Sequence, residues 1–134
     1  MNAYWDSSAV LALIYREPHS EEATRAASAT QSVYAWWWMR IETHAAMQRR
    51  GFSTLQEKNW LRFLDATCWI DMPQGKADEI CRFNAMAKLR SADAGHLFIF
   101  SQLEDVVENL TLVTFDAEMA SAAATKNWKV WDHS

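Results

Sequence analysis

Four acids stand out by where they fall in the chain. Asp6 follows the apolar Ala3, Tyr4 and Trp5, and Asp116 follows Val113, Thr114 and Phe115, so two expected strands each end on a carboxylate. In open parallel sheets, ligands bind outside the carboxyl ends of the strands, where strand order reverses. Asp93 opens a nearly all-apolar stretch that includes Leu97, Phe98, Ile99 and Phe100, where a free acid is unexpected. Glu42 lies between Ile41 and Thr43, with Ala45, Ala46 and Met47 close behind. Singly, each has an ordinary reading: Asp6, Asp93 and Asp116 as helix caps, Glu42 as a solvated helix residue. Their joint placement predicts that all four converge in one pocket at the carboxyl edge of a sheet. Competing chemistries lack their parts. No G-x-S-x-G elbow is present, and three glycines cannot build a Walker or Rossmann phosphate loop. Asp71, between Ile70 and Met72, looks like a phospho-acceptor, but a receiver domain needs paired acids after its first strand and one helix before the acceptor strand. Here a single Asp6 is followed by about three expected helices.

The elements that must position these acids alternate. A strand is expected over residues 1–6, then a helix over 9–16 with Ser7 and Ser8 as N-caps, closed by Pro18. A helix over 20–29 carries Glu21 and Glu22 in its first turn, where the helix dipole favours acids. A strand is expected over 31–34, and a helix from Trp36 to the C-terminal signal Gly51. Ser53 or Thr54 caps a helix carrying Leu55, Trp60, Leu61 and Leu64 at helical spacing. Then follow a strand over 68–71, a helix over 76–89, the buried helix over 93–103, a strand over 110–115, a helix over 117–125 and a strand over 129–131. This alternation predicts an α/β sandwich with a central, mostly parallel sheet flanked by helices.

The chain has 134 residues and a formal net charge of −4, half its residues are hydrophobic and 22% are charged. That is ordinary globular composition, and residues 1–134 read as a single domain large enough for a core without disulfides or structural metal. Cys68 and Cys81 lie thirteen positions apart with no CxxC pair. They read as two buried, reduced thiols. No basic, apolar leader precedes Asp6, and the longest apolar run, Ala9 to Tyr15, is far short of a membrane span. The expectation is a soluble, cytoplasmic protein without a membrane partner.

The stretches Tyr4-Trp5-Asp6-Ser7-Ser8-Ala9-Val10-Leu11, Arg40-Ile41-Glu42, Leu89-Arg90-Ser91-Ala92-Asp93-Ala94-Gly95-His96-Leu97 and Leu112-Val113-Thr114-Phe115-Asp116 together resemble the PIN-domain nucleases, and within them the VapC-type toxins of toxin–antitoxin pairs. Each stretch alone is weak, but the four in this order are fairly specific, and the resemblance spans the whole chain. It implies a PIN-like three-layer sandwich. It implies that Asp6, Glu42, Asp93 and Asp116 surround one or two Mg²⁺ or Mn²⁺ ions and cleave RNA, leaving a 5′-phosphate and a 3′-hydroxyl. It implies a cognate antitoxin that holds the enzyme inactive, and a homodimer. The physics agrees: hard cations take oxygen ligands, and crowded carboxylates repel without one. Ser7 and Thr114 resemble the hydroxyl residues that orient the acids. His96, three residues after Asp93, reads as a packed core histidine rather than a ligand. Two departures stand out. Met119 occupies a place where a further acid or Asn is common, with Glu118 one residue off, and Trp36 stands where a capping Ser or Thr usually precedes the Glu42 helix.

The acidity does not argue against RNA. Of the 17 acidic side chains, setting these four aside leaves 13, equal to the 13 basic ones. Eight of the bases are arginine, whose guanidinium grips phosphate bidentately. Arg40, Arg49, Arg50 and Arg90 lie close in sequence to the acids and are candidate RNA contacts. Trp36, Trp37 and Trp38, if helical, point about 100° apart and cannot all face one core. They predict a hydrophobic groove for the antitoxin or a dimer mate. Two other readings use the same fold: an RNA-processing nuclease without an antitoxin, and a binding module whose metal site is dead.

Overall fold

The computed structural model describes residues 1–132. Strand β1 (Asn2–Trp5) buries Ala3, Tyr4 and Trp5 completely, as a parallel strand covered on both faces must. The chain then runs through α1 (Ser7–Ile14), α2 (Ser20–Ala29), β2 (Ser32–Trp36), α3 (Trp38–Arg50), α4 (Thr54–Ala66) and β3 (Thr67–Ile70). It continues through α5 (Ala77–Ala87), α6 (Ser91–Glu104), β4 (Thr111–Val113), α7 (Ala117–Thr125) and β5 (Lys129–Val130). The five strands pair in the order β3-β2-β1-β4-β5, every pair parallel. The order steps outward from β1 to β3, then returns to the other side of β1. The switch point therefore lies between β1 and β4, the two strands followed by Asp6 and Asp116.

The period-2 geometry of β1 divides the molecule into three layers. Ala3 and Trp5 face a core built with Ala9, Val10, Ala26, Met39, Met47, Trp60 and Leu64, which belong to α1–α4. Tyr4 faces the opposite core with Leu97, Ile99, Phe100 and Met119, joined by Ile80 and Phe83 from α5. The expected α/β sandwich is thus observed, with a sheet that is wholly parallel. No described helix is long and apolar enough to cross a membrane.

Several local expectations shift. Helix α1 starts at Ser7, two residues early, because Asp6 itself is the N-cap. Arg90, not Asp93, precedes α6, which places Asp93 in its first turn. Ser53 caps α4 in a full capping box with Gln56. Trp36 is the last residue of β2, in register with Ile70, so the three tryptophans are not a helical run. Trp37 precedes α3 without any side-chain cap, and Trp38 is the first helical residue. Both cysteines are exposed rather than buried. Cys68 lies on the sheet-edge strand β3, and Cys81 lies on α5, which buries none of its residues fully.

Helix α6 reaches the sheet through Gly95. A Cβ there would stand 2.6 Å from the Trp36 ring, inside van der Waals contact. Alanine ordinarily favours a helix interior by about 1 kcal/mol over glycine. At this position overpacking reverses the sign. Gly95→Ala should lower stability by about 1–3 kcal/mol in urea denaturation. Unchanged or higher stability would show that the Trp36 ring moves freely.

Candidate functional site

The backbone N–H of Asp6 donates to the Val113 carbonyl at 3.2 Å, tying the end of β1 to that of β4. Its side chain is 3% exposed and is met by three donors. Ser8 Oγ (2.7 Å) and the Ala9 N–H (3.0 Å) donate to Oδ1, and Thr114 Oγ1 (2.5 Å) donates to Oδ2. Burial pushes the Asp6 carboxyl above the usual range, against the hydrogen bonds of Thr114 and Ser8, nearby His96 and the Ala9 N–H. The same hydroxyls hold the next acid. Thr114 Oγ1 accepts the Asp116 N–H at 3.1 Å, and Ser8 Oγ accepts the Phe115 N–H at 3.0 Å. Asp116 caps α7, with Oδ1 accepting the Met119 N–H at 2.9 Å.

Glu42 reaches the cluster from the second turn of α3. Its Oε1 accepts from Ser7 Oγ at 2.7 Å and from His96 Nε2 at 2.5 Å. On the far side of the ring, His96 Nδ1 meets Tyr4 Oη at 2.7 Å, and Tyr4 Oη accepts the Trp36 N–H at 3.3 Å. Nε2 faces a carboxylate oxygen and so donates to Glu42, while Nδ1 and Tyr4 Oη share the bond on the other side. Burial pushes the Tyr4 phenol well above its ordinary value, with Asp6 and Glu42 adding to the rise and the Trp36 N–H opposing it, so Tyr4 keeps its proton. Burial works to raise Glu42 as well, but the bond and charge of His96, helped by Ser7, outweigh it and hold Glu42 below the usual range.

Asp93 lines a cavity of about 290 Å³ together with Arg90, Asp116, Ala117 and Glu118. Its carboxyl is pushed up to about 6, first by partial burial, then by Asp116 and Asp6, with Glu42 adding and His96 opposing. Asp93 therefore feels the other three acids, and the four come from four different segments of the chain.

Ser7 and Thr114 do hold carboxylates, although Ser7 serves Glu42 rather than its neighbour Asp6. Ser8, Tyr4 and His96 are further members that the sequence reading did not place there. Of the four arginines, only Arg90 lines the cavity. Arg50 is tied to Glu17 at 3.2 Å and sits over the Tyr15 ring at 3.8 Å. Arg49 lies two turns along α3 from Glu42, about 10 Å at 1.5 Å per residue. Arg40 is exposed on α3 and does not line the cavity. Trp36 packs edge-on against His96 at 5.2 Å, whereas Trp37 and Trp38 are 40% and 37% exposed. Met119 is fully buried, and the neighbouring Glu118 is the residue that reaches the cavity.

Among the described residues, no three His, Cys, Asp or Glu side chains stand close enough to share one ion. The donor set still fits a hard divalent cation. Mg²⁺ takes one or two carboxylates and fills its remaining positions with water and substrate oxygens. Asp93 accepts no hydrogen bond within the described structure, and Glu42 Oε2 and Asp116 Oδ2 are likewise uncommitted.

No family model and no curated protein sequence matches this chain. Solved structures do. The protein PAE2754 of Pyrobaculum aerophilum superposes with a TM-score of 0.68 at 17% identity, over 97% of this chain and 83% of that one. A chain of a toxin–antitoxin complex from Klebsiella pneumoniae superposes with a TM-score of 0.63 at 21% identity, over 84% and 85%. At these identities the likeness establishes the fold.

Because Asp93 holds its proton to about pH 6 when folded and to 3.8 otherwise, the folded state binds more protons between those values. Asp93 therefore costs stability as pH rises through this window. Asp93→Asn should raise Tm at pH 7–8 relative to wild type and leave it nearly unchanged below pH 4, by thermal melts across pH. An equal effect at both ends would show that Asp93 is not repelled by its neighbours.

Proposed function

We propose that the chain is a metal-dependent endoribonuclease of the PIN-domain type, acting as a VapC-like toxin held inactive by a cognate antitoxin. One observation carries this reading: carboxylates from four segments gather near the switch point of a parallel sheet, where Asp93 feels the charge of the other three and Asp6, Glu42 and Asp116 are each held by donors. A bound Mg²⁺ or Mn²⁺ would supply charge neutralisation at a phosphodiester and easier proton loss from water. Asp93 and Asp116, which line one cavity, would hold it, with Glu42 adding negative charge from beside them. Asp6, fixed on both oxygens, sets the spacing of the others and adds negative charge behind them. Arg90, on the same cavity, has the guanidinium fork to grip a phosphate of the strand being cut.

An antitoxin has a place to dock. Trp37, Trp38 and Ile41 form an exposed apolar group at the start of α3. Trp38 stacks on Trp36 at 6.0 Å, and Trp36 contacts His96, the residue that holds Glu42. A partner seated on these rings lies close to the acids, and a basic side chain from it would compete with the cation. The fold shared with a chain of the Klebsiella complex supports such a partner.

The chain expressed alone should arrest growth and cut RNA in Mg²⁺ or Mn²⁺, and EDTA should stop the cutting. Mapping the new RNA ends identifies the target. Asp93→Asn should abolish cleavage while keeping the fold; cutting at the wild-type rate would leave Asp93 a purely local residue. Trp37→Ala should weaken antitoxin binding by about 2 kcal/mol or more if the ring is a hot spot, with cleavage by the free chain nearly unchanged. Equal affinity, measured by calorimetry, would remove the tryptophans from the interface.

A further inference from the structure

Beside the acid pocket lies a groove of about 800 Å³, between the end of α5 and one face of α7. The two share Ala117 and Glu118, so the groove adjoins the pocket lined by Asp93 and Asp116. Its lining is mostly apolar, including Leu89 and Ala122, and two ammonium groups, Lys88 and Lys126, stand along it.

Lys88 is fixed by its backbone and Lys126 by its side chain. Lys88 ends α5 in the left-handed region, at φ 54, where glycine is ordinarily favoured and a Cβ is not. Asn84 pins that turn: its carbonyl accepts the Lys88 N–H at 2.8 Å, and its side chain bonds both the Leu89 N–H (2.9 Å) and the Leu89 carbonyl (2.8 Å). A non-glycine residue kept in such a conformation points to a use for its side chain. Lys126 holds its ammonium over the rings of Phe83 and Trp128, at 5.1 and 5.6 Å. Among the described residues, neither lysine nor Arg90 forms an ion pair. Three cations and one carboxylate, Glu118, thus line the groove and the acid pocket beside it.

We infer that this groove seats the single-stranded RNA flanking the scissile bond, with phosphates on Lys88 and Lys126 and bases along the apolar floor. The inference rests on the ribonuclease reading above and adds the path of the strand. A polyanion with apolar faces matches the groove on both counts, and Arg90 lies where that path meets the acids.

The test is fluorescence anisotropy with a labelled single-stranded RNA in EDTA, so that nothing is cut, over a series of salt concentrations. Lys126→Gln should flatten the slope of log K against log salt by about 0.7, the release expected for one phosphate contact on a single strand. Lys88→Gly should do the same while raising Tm, because it relieves the left-handed residue; a merely structural lysine would not move the two readouts in opposite directions. Lys58→Gln, on α4, should change neither. In Mg²⁺ the groove variants should raise KM and spare kcat. Wild-type affinity and slope in both variants, alongside wild-type cleavage, would overturn the groove and leave the nuclease standing. A chain that neither binds nor cuts RNA would overturn both.

Discussion

Asp6 is a carboxylate taken almost wholly out of water, and much of the site is arranged around that fact. A buried charge without partners costs several kcal/mol, so its oxygens must be met by donors. The donors come from the first turn of α1, through Ser8 and Ala9, and from the end of β4, through Thr114. Meeting them fixes where α1 begins. Thr114 then accepts the Asp116 N–H, and Ser8 accepts that of Phe115, so the path from β4 into α7 follows as well. One buried acid thereby positions a second without touching it.

A second chain of contacts runs through the opposite layer. Gly95 lets the Trp36 ring lie against α6, and the ring packs edge-on against His96. His96 is held by Tyr4 on one nitrogen and holds Glu42 with the other. Tyr4 comes from β1, the strand that also delivers Asp6. Three of the four acids, Asp6, Asp116 and Glu42, are therefore spaced by a strand and two polar networks, and Asp93 by its place in α6. Trp36 links the exposed Trp37 and Trp38 to this arrangement through ring contacts alone.

The layered fold was legible in the sequence because apolar runs end on acids and turn residues at the right intervals. The limits of α2 and α7 follow directly from their flanking residues. The tryptophan run was not legible: consecutive large aromatics carry no period, so the boundary between β2 and α3 falls among them unmarked. The link of His96 to Glu42 spans 54 positions and has no local signature. Ser8 reads as a cap in the sequence because capping and acid-holding use the same hydroxyl. The α5–α7 groove is built of alanines, a leucine and lysines, residue types that announce nothing until the backbone brings residues 86–89 beside 117–126.

Reading Asp6 and Asp116 as helix caps or as site acids sets up a choice the structure does not require. Both are N-caps, and Asp93 lies in the first turn of α6. A helix N-terminus carries roughly half a positive charge, so each of these three carboxylates sits where the backbone itself opposes its neighbours' repulsion. That is how these carboxylates tolerate one another at close range. Glu42, in the second turn of α3, lacks this help, and it is the acid that needs an imidazole and a serine. Asp93 marks how far the compensation reaches. It has the dipole but no hydrogen-bond donor among the described residues, and its carboxyl is left at about 6. The penalty left by burial first and by the neighbouring charges second falls on the acid that faces the open cavity.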